Sequence, residues 1–534
     1  MKLGFRSVFW LFLACAFIAI PPLSNANPSL EAVSTADPSL PKGVSADGDS
    51  FALSLTSDGV FVLLASTANN LVPNDHNAPF TDIFLRNRTN GAIKLVSANA
   101  GATSGGNGNS GYASVTPDGR YVVFQSEASD LITNDLNQAG DVFVRDMIAE
   151  TTVLVSVSRP GTGSGNGASS SPVITPDGRY VAFVSSASDL VDDDTNAIPD
   201  VFVRDLQTGL TTLVSAGAMK GFGRNTSSSE APVITPDGRF VAFISTASNL
   251  VASPKTANQE VYVRDLVLGQ TLWASSNVTA TPQPASYNPV LSDDGRFVAF
   301  KTYAASQFQL LRLDIQTGAL DLLSTNAAGL SPLVPDAFGP EMSADGQYVA
   351  FSSLVTATNT SAVWLWDGET KTADLVSANL PGQPGADGIC ENLSITPNGR
   401  YVAFMSNGTA LVTNAVNGEY QVFVHDRQSD LTRLVTADLD GAGSGSAESS
   451  VPILTPDGRL VLFDSRSDTF ALDDRNDAYD VFEQDAVADT AGLVSGRDTS
   501  APRATGNGVS VVARDSISAD GRYVVFESWA SDLA

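Results

Sequence analysis

Thr175-Pro176-Asp177-Gly178-Arg179-Tyr180-Val181-Ala182-Phe183 reads as a tight turn running into a β-strand, and the chain repeats it. Near-identical copies begin at Thr116 and Thr235, and a fourth at Thr455 carries Leu460 in place of the aromatic. Looser copies begin at Thr56, Ser292, Ser343, Thr396 and Ser518. Their third positions, Asp58, Asp118, Asp177, Asp237, Asp294, Asp345, Asn398, Asp457 and Asp520, lie 51 to 63 residues apart. Such a period marks a repeat architecture. Proline presets φ for the first turn position, aspartate accepts local backbone hydrogen bonds, and glycine takes the left-handed conformation before the strand begins. Along that strand Tyr180 and Ala182 share one face and Val181 and Phe183 the other, so both faces are apolar and the strand is expected to be covered on both sides.

Each unit holds four strand signals. A short stretch leads into the turn (Ser171 to Thr175) and a second follows it (Arg179 to Phe183). A third reads Asp200-Val201-Phe202-Val203-Arg204-Asp205, and a fourth runs from Thr211 to Ser215. β-Branched and aromatic residues fill these runs, turn formers separate them, and no helical period is sustained beyond residue 26. The expected fold is all-β, a propeller of about eight four-stranded antiparallel blades, with a stacked solenoid of hairpins as the alternative. The repeated Ser/Thr-Pro-Asp-Gly-Arg-Tyr-Val-Ala-Phe, Asp-Val-Phe-Val-Arg-Asp and Leu-Val-Ser segments resemble the TolB-type, WD40-like β-propeller repeat from about residue 45 onward. The resemblance implies the fold far more than a function, because such repeats serve binding scaffolds, peptidase accessory domains and polysaccharide lyases. TolB carries a separate α/β domain ahead of its propeller, and residues 27–50 leave no room for one. The expectation is therefore a relative of TolB and not TolB itself.

The expected layout is a signal peptide at 1–26, an N-terminal segment at 27–48, eight repeats at 49–507 and an incomplete ninth at 508–534. Lys2 and Arg6 precede an apolar run from Val8 to Ile20, too short to span a bilayer, and Ser24-Asn25-Ala26 offers a cleavage site. No later segment is apolar enough for a membrane crossing, so the mature protein is expected to be periplasmic or extracellular. Ser29 to Ser34 resembles a fourth strand able to close the ring. The well-preserved ninth motif points to a chain that continues past Ala534, with a nine-blade ring or a second propeller as alternatives. A net charge of −28 argues against nucleic acid and anionic lipid as partners, and the chain is expected to be a monomer. One cysteine, Cys390, lies beyond the signal segment, so no intramolecular disulfide is expected there.

In a four-stranded blade with these spacings, the turns between strands 1 and 2 and between strands 3 and 4 are short. The strand 2–3 loop and the blade-to-blade connection are long, Gly/Ser-rich or Asp/Asn-rich, and open on one face. Loops on a rigid scaffold carry recognition, so binding is expected there. Within the strand 2–3 loop one spacing recurs: Asp135, Asn137 and Asp141; Asp194, Asn196 and Asp200; Asp474, Asn476 and Asp480; with Asp75, Asn77 and Asp82 a near copy. Alternating oxygen donors suit calcium, though an EF-hand's glycine and terminal glutamate are lacking, and Asx-turns need no metal. No catalytic residue is assigned. His76 and His425 occupy repeat positions held elsewhere by Leu136, Thr195, Arg145 or Arg204, and no nucleophile elbow or metalloprotease motif occurs. Trp364 and Trp366 share one strand face and are expected to pack between blades, and Cys390 to be buried. The expected function is non-enzymatic recognition of a protein or glycan through the long-loop face. The alternative is a carbohydrate-active lyase or hydrolase using carboxylates at the propeller mouth.

Overall fold

The computed structural model describes residues 46–495 and the pairs 510–511 and 527–528, except for 78, 219–228, 248, 253–258, 277, 279–284, 305–306, 325–333, 336–339, 356–359, 382–387, 440, 471–477 and 486–489. The signal segment, Ser29 to Ser34, and most of the ninth repeat lie outside the described residues. Of that repeat, Ser510–Val511 pairs antiparallel with Glu527–Ser528 as a separate sheet.

The chain builds an eight-bladed β-propeller. Each blade is one contiguous segment whose four strands pair antiparallel in chain order. The blades run from Ser50 to Leu95, Ser110 to Leu154, Ser169 to Leu213, Ser229 to Trp273, Ala285 to Leu322, Val334 to Leu375, Cys390 to Leu434 and Ser449 to Leu493. In blade 6 the first strand is split into Val334–Pro335 and Glu341–Met342, both on the second strand. The first strands of successive blades touch one another, which places them around the axis.

The double-sided burial of the second strand is what this arrangement requires: Val181, Ala182 and Phe183 are wholly buried. Phe183 stacks on Phe202 of the third strand with centroids 5.8 Å apart, and the same pair recurs as Phe124–Phe143, Phe243–Tyr262, Phe404–Phe423 and Phe463–Phe482. Eight apolar clusters form, one per interface, including one that joins Val62, Leu64 and Phe84 of blade 1 to Leu462, Val481 and Val494 of blade 8. Blade 1 therefore sits directly against blade 8 and leaves no gap for a ninth blade. The seam also carries an Arg88–Glu483 ion pair and a hydrogen bond from Ala52 N–H to the Asp464 carboxylate (2.5 Å).

The repeat motif holds both the turn and the interface. Thr175 Oγ1 donates to Asp177 Oδ1 (2.6 Å) and accepts from Tyr180 N–H (3.0 Å), while Asp177 Oδ1 also accepts from Arg179 N–H (3.0 Å). Arg179 lies 4.7 Å over the Tyr180 ring and pairs with Asp205 at the end of the third strand (2.8 Å). The same ion pair recurs as Arg120–Asp146, Arg239–Asp265, Arg296–Asp314, Arg400–Asp426 and Arg459–Asp485. Gly178 has φ of 73° and backs onto the Tyr121 ring of the preceding blade, leaving no room for a β-carbon. The contact passes from blade to blade: Phe61 on Gly119, Tyr180 on Gly238, Phe240 on Gly295, Phe297 on Gly346, Tyr348 on Gly399 and Tyr401 on Gly458. Leu460, the odd residue of the fourth copy, completes the circuit against Gly59 of blade 1.

Gly161 shares the φ of Gly178 but has open space where a β-carbon would lie, so the two separate backbone strain from contact. Gly161→Ala should cost about 1 kcal/mol for the left-handed backbone. Gly178→Ala should cost about 1–3 kcal/mol more because the Tyr121 ring must move. Urea unfolding of both variants checks this, and equal losses would refute the interlock.

Candidate functional site

The two ends of the propeller differ as the loop lengths imply. Ser110 pairs with Ser126 and Ser126 with Asp141, so the first strand begins at the end where the strand 2–3 loop leaves. There the strand 2–3 loops of blades 2 and 3 are bonded to the blade-to-blade connection between them: Asn137 Nδ2 to Gly165 O (2.8 Å), Asn134 Nδ2 to Thr162 O (3.4 Å), and Asn166 N–H to Asp189 Oδ1 (2.9 Å). In blades 5 and 6 the long loop is replaced by extended hairpins, Phe297–Ala304 with Gln307–Asp314 and Tyr348–Val355 with Thr360–Asp367. This accounts for their shorter periods.

The structure brings the Asp/Asn motif residues together within each blade. The aspartate that opens the third strand is buried and bonded by the serine that ends the fourth: Ser97 to Asp82 (2.5 Å), Ser156 to Asp141 (2.5 Å), Ser215 to Asp200 and Ser495 to Asp480. The asparagine is a clip, with Asn77 bonded to Asp82 Oδ2 and Gly106 O (both 2.6 Å), and Asn196 to Asp200 Oδ2 (2.6 Å) and Ala218 O (3.0 Å). The first aspartates, Asp75, Asp135 and Asp194, are buried beside their partners. Burial, with repulsion from Asp82, pushes Asp75 up to about 7; burial, with the charge of Asp135, takes Asp141 to about 7 against the opposing bond from Ser156. Asp82 and Asp200 rise to about 6, chiefly through burial. Asp474 and Asn476 lie outside the described residues. Among the described residues no three carboxylate, imidazole or thiol side chains converge.

A second site lies on the axis, and sequence reasoning missed it. The first strands bulge two residues in from the long-loop end, where Tyr112, Ser171, Asn288 and Asn392 take left-handed φ values of 47° to 53°. Such a conformation is costly for Tyr and Ser, and bulges re-aim side chains toward sites. These residues, with Glu341, Val173, Val233, Val290 and a proline from each of blades 3 to 6 (Pro172, Pro232, Pro289, Pro340), line a cavity of about 640 Å³. Proline fits there because a bulged residue has no ladder partner for an N–H. Tyr112 is 74% exposed. Glu341 is solvent-exposed on the channel wall, and its partial desolvation within the channel raises the carboxyl to about 7. The signal available in sequence was variation: the residue before the bulge proline or its counterpart is Tyr112, Ser171, Ala231, Asn288, Asn392 or Val451, while its neighbours repeat.

The remaining candidates are structural. His425 is buried and contacts Thr432 Oγ1 (3.1 Å), the place where Arg145 and Arg204 meet Thr152 and Thr211. His76 is exposed on its loop. Cys390 is buried at a position held by serine in other blades, 3.3 Å from Ser406 Oγ. Trp364 and Trp366 pack between blades 5 and 6 as expected. No helix among the described residues is long and apolar enough to cross a membrane.

No known family and no curated protein matches the sequence. Solved structures of similar fold include an oligogalacturonate lyase from Vibrio parahaemolyticus, 12% identical, with TM-score 0.41, covering 74% of this chain and 94% of that one. A prolyl endopeptidase is 14% identical with TM-score 0.45, over 80% and 56% of the two chains. TolB from Acinetobacter baumannii is 17% identical with TM-score 0.31, over 65% and 67%. At these values nothing about activity passes from them to this chain.

The most strongly shifted acid sits at the seam. Asp464 is buried where other blades carry Ala65, Val184, Ile244 or Met405, and burial pushes its pKa to about 8 against the bond from Ala52 N–H. Its folded pKa is raised, so the stability it contributes is complete below about pH 4 and is lost as pH rises through 8. Asp205 and Asp314 are held at about 2, chiefly by Arg179 and Arg296, and act oppositely: their contribution is present above about pH 4 and lost as pH falls through 2. Asp464→Asn should flatten the decline in melting temperature between pH 4 and 8 and leave the acid limb unchanged. Parallel declines in variant and parent would show that Asp464 does not titrate with unfolding.

Proposed function

We propose that this chain is an exported, non-enzymatic binding propeller of the TolB-type repeat class that captures a glycan at the long-loop end of its axial channel. One observation carries the reading. Where the first strands bulge onto the axis the residue changes from blade to blade, whereas the turn, ion-pair and serine–aspartate positions repeat around the ring. Repetition is what a scaffold needs, and variation confined to one converging position is what recognition needs. The chemistry there suits a saccharide: the exposed Tyr112 ring offers a stacking face, Asn288, Asn392 and Ser171 offer uncharged hydrogen-bonding groups, and proline and valine supply an apolar wall. Hydrolysis of a glycosidic bond ordinarily uses two carboxyl groups about 5–9.5 Å apart. Glu341 is the one carboxyl among the described wall residues, which favours binding over cleavage. Export rests on Lys2, Arg6, the run from Val8 to Ile20 and Ser24-Asn25-Ala26.

A second reading has an observation of its own. A carboxyl at about 7 suits a general base near neutral pH, so Glu341 would serve a lyase. A glycan array probed with the mature protein, followed by titration of the best oligosaccharide, separates the two. The binding reading predicts that Tyr112→Ala weakens retention at least about tenfold, the loss of roughly 1.4 kcal/mol of stacking and contact. It also predicts that the oligosaccharide is recovered intact and that Glu341→Gln still binds. Cleavage that vanishes in Glu341→Gln would replace binding with catalysis, and retention on peptides alone would replace the glycan with a protein partner.

A further inference from the structure

In blades 1, 2 and 3 the strand 2–3 loop sets one aspartate against the aspartate that opens the third strand, giving the pairs Asp75/Asp82, Asp135/Asp141 and Asp194/Asp200. All six are at least nine-tenths buried. In every pair one carboxylate oxygen finds no hydrogen-bond donor: Asp75 Oδ1, Asp141 Oδ2 and Asp194 Oδ1, joined in blade 1 by Asn77 Oδ1. Asp82, Asp135, Asp141 and Asp200 accept bonds on other oxygens from Ser97, Ser156, Ser164, Ser215, Asn77 or Asn196. No Lys, Arg or His among the described residues forms an ion pair with any of them. Two buried carboxylates side by side, each pair with an orphaned oxygen, leave negative charge that the protein itself does not neutralise.

Blade 7 is a natural control. Ala415 and Gln421 stand at the two aspartate positions, and Asn417 is kept, still donating to Gly445 O (2.8 Å). Gln421 makes its own bonds, accepting from Thr436 Oγ1 (2.6 Å) and donating to Ala447 O (3.0 Å). The loop is thus held without either carboxylate, by Asn417 together with bonds of Asn414 and Ala415 to the same connection, and the two carboxylates are absent together. A structural role accounts for the asparagine and for the serine-bonded oxygens of the third-strand aspartates, and leaves the orphaned carboxylate oxygens without one.

We propose that each of these three aspartate pairs holds one calcium ion, which ties the strand 2–3 loop to the third strand of its blade. The donors are oxygens throughout, with no imidazole or thiol, so a hard cation fits, and calcium tolerates irregular coordination that magnesium does not. Gly105 backs onto Asn77 and Asp82 with no room for a side chain, which keeps that pocket small and polar.

Equilibrium dialysis of the chelator-treated full chain against calcium should give about three ions bound with dissociation constants of about 10⁻⁴–10⁻³ M, the range of extracellular modules. Millimolar calcium should raise the melting temperature, and magnesium at the same concentration should raise it less. The isosteric pair Asp135→Asn with Asp141→Asn should lose one ion. Asp193→Asn, an exposed carboxylate of the blade 3 loop, should lose none, which separates specific sites from loose association with an acidic surface. The double variant is checked for folding by circular dichroism, and the wild-type stoichiometry stands whether or not it folds. No bound calcium at millimolar concentration would overturn the proposal, as would a stoichiometry indifferent to Asp135→Asn/Asp141→Asn in a folded variant. So would a melting temperature that responds to pH but not to calcium, which would assign each pair a shared proton.

Discussion

Each aromatic ring that follows a Pro-Asp-Gly-Arg turn lies against the turn glycine of the next blade, and the ring of blades depends on that contact. It imposes two demands on one residue. The glycine must accept a left-handed backbone to end its own turn, and it must present no side chain to the neighbouring ring. The arginine of the same turn covers its aromatic on one side and reaches the aspartate at the end of the third strand. Turn, blade and interface are therefore specified by the same few residues. Exceptions change in concert: blade 1 has Val60 in place of the arginine and Asn87 in place of its aspartate, and Gln347 bonds Asp367 in blade 6.

Closure follows from the same rule. Every blade is contiguous in sequence and no strand is exchanged between the ends of the described chain, so the ring is shut by packed side chains and by a few bonds such as Ser50 N–H to Tyr479 O. Leu460 replaces the aromatic where blade 8 meets blade 1, and Arg88, Glu483 and Asp464 appear at that junction. With stability supplied at the interfaces and at the short-turn face, the bulged first strands are relieved of it. Their axial positions vary, and four of them hold non-glycine residues in left-handed backbone.

The fold was legible because its constraints are local. Thr-Pro-Asp-Gly-Arg predicts a turn, the apolar strand after it predicts two covered faces, and the period predicts repetition. The site was legible only in part. The Asp-x-Asn-x3-Asp spacing could be read, but not the burial of both carboxylates or the clip made by the asparagine, which depend on a serine at the end of the fourth strand and on the connection to the next blade. Tyr112, Asn288, Asn392 and Glu341 converge from four separate blades, and a bulge that turns a side chain toward the axis leaves only a varying residue beside a proline. In the sequence Leu460 is only a replacement for the aromatic in one copy, whereas its place at the seam is set by which blade closes on which.

The central claim is that the eight described blades, packed ring on glycine, close upon themselves by direct contact of blade 1 with blade 8. Equilibrium urea unfolding of residues 46–495 alone, followed by tryptophan fluorescence and far-ultraviolet circular dichroism, tests it most directly. The account predicts a monomer with one cooperative transition at the midpoint of the full chain. An aggregated product, or a midpoint well below that of the full chain, would contradict closure of the ring by these eight blades.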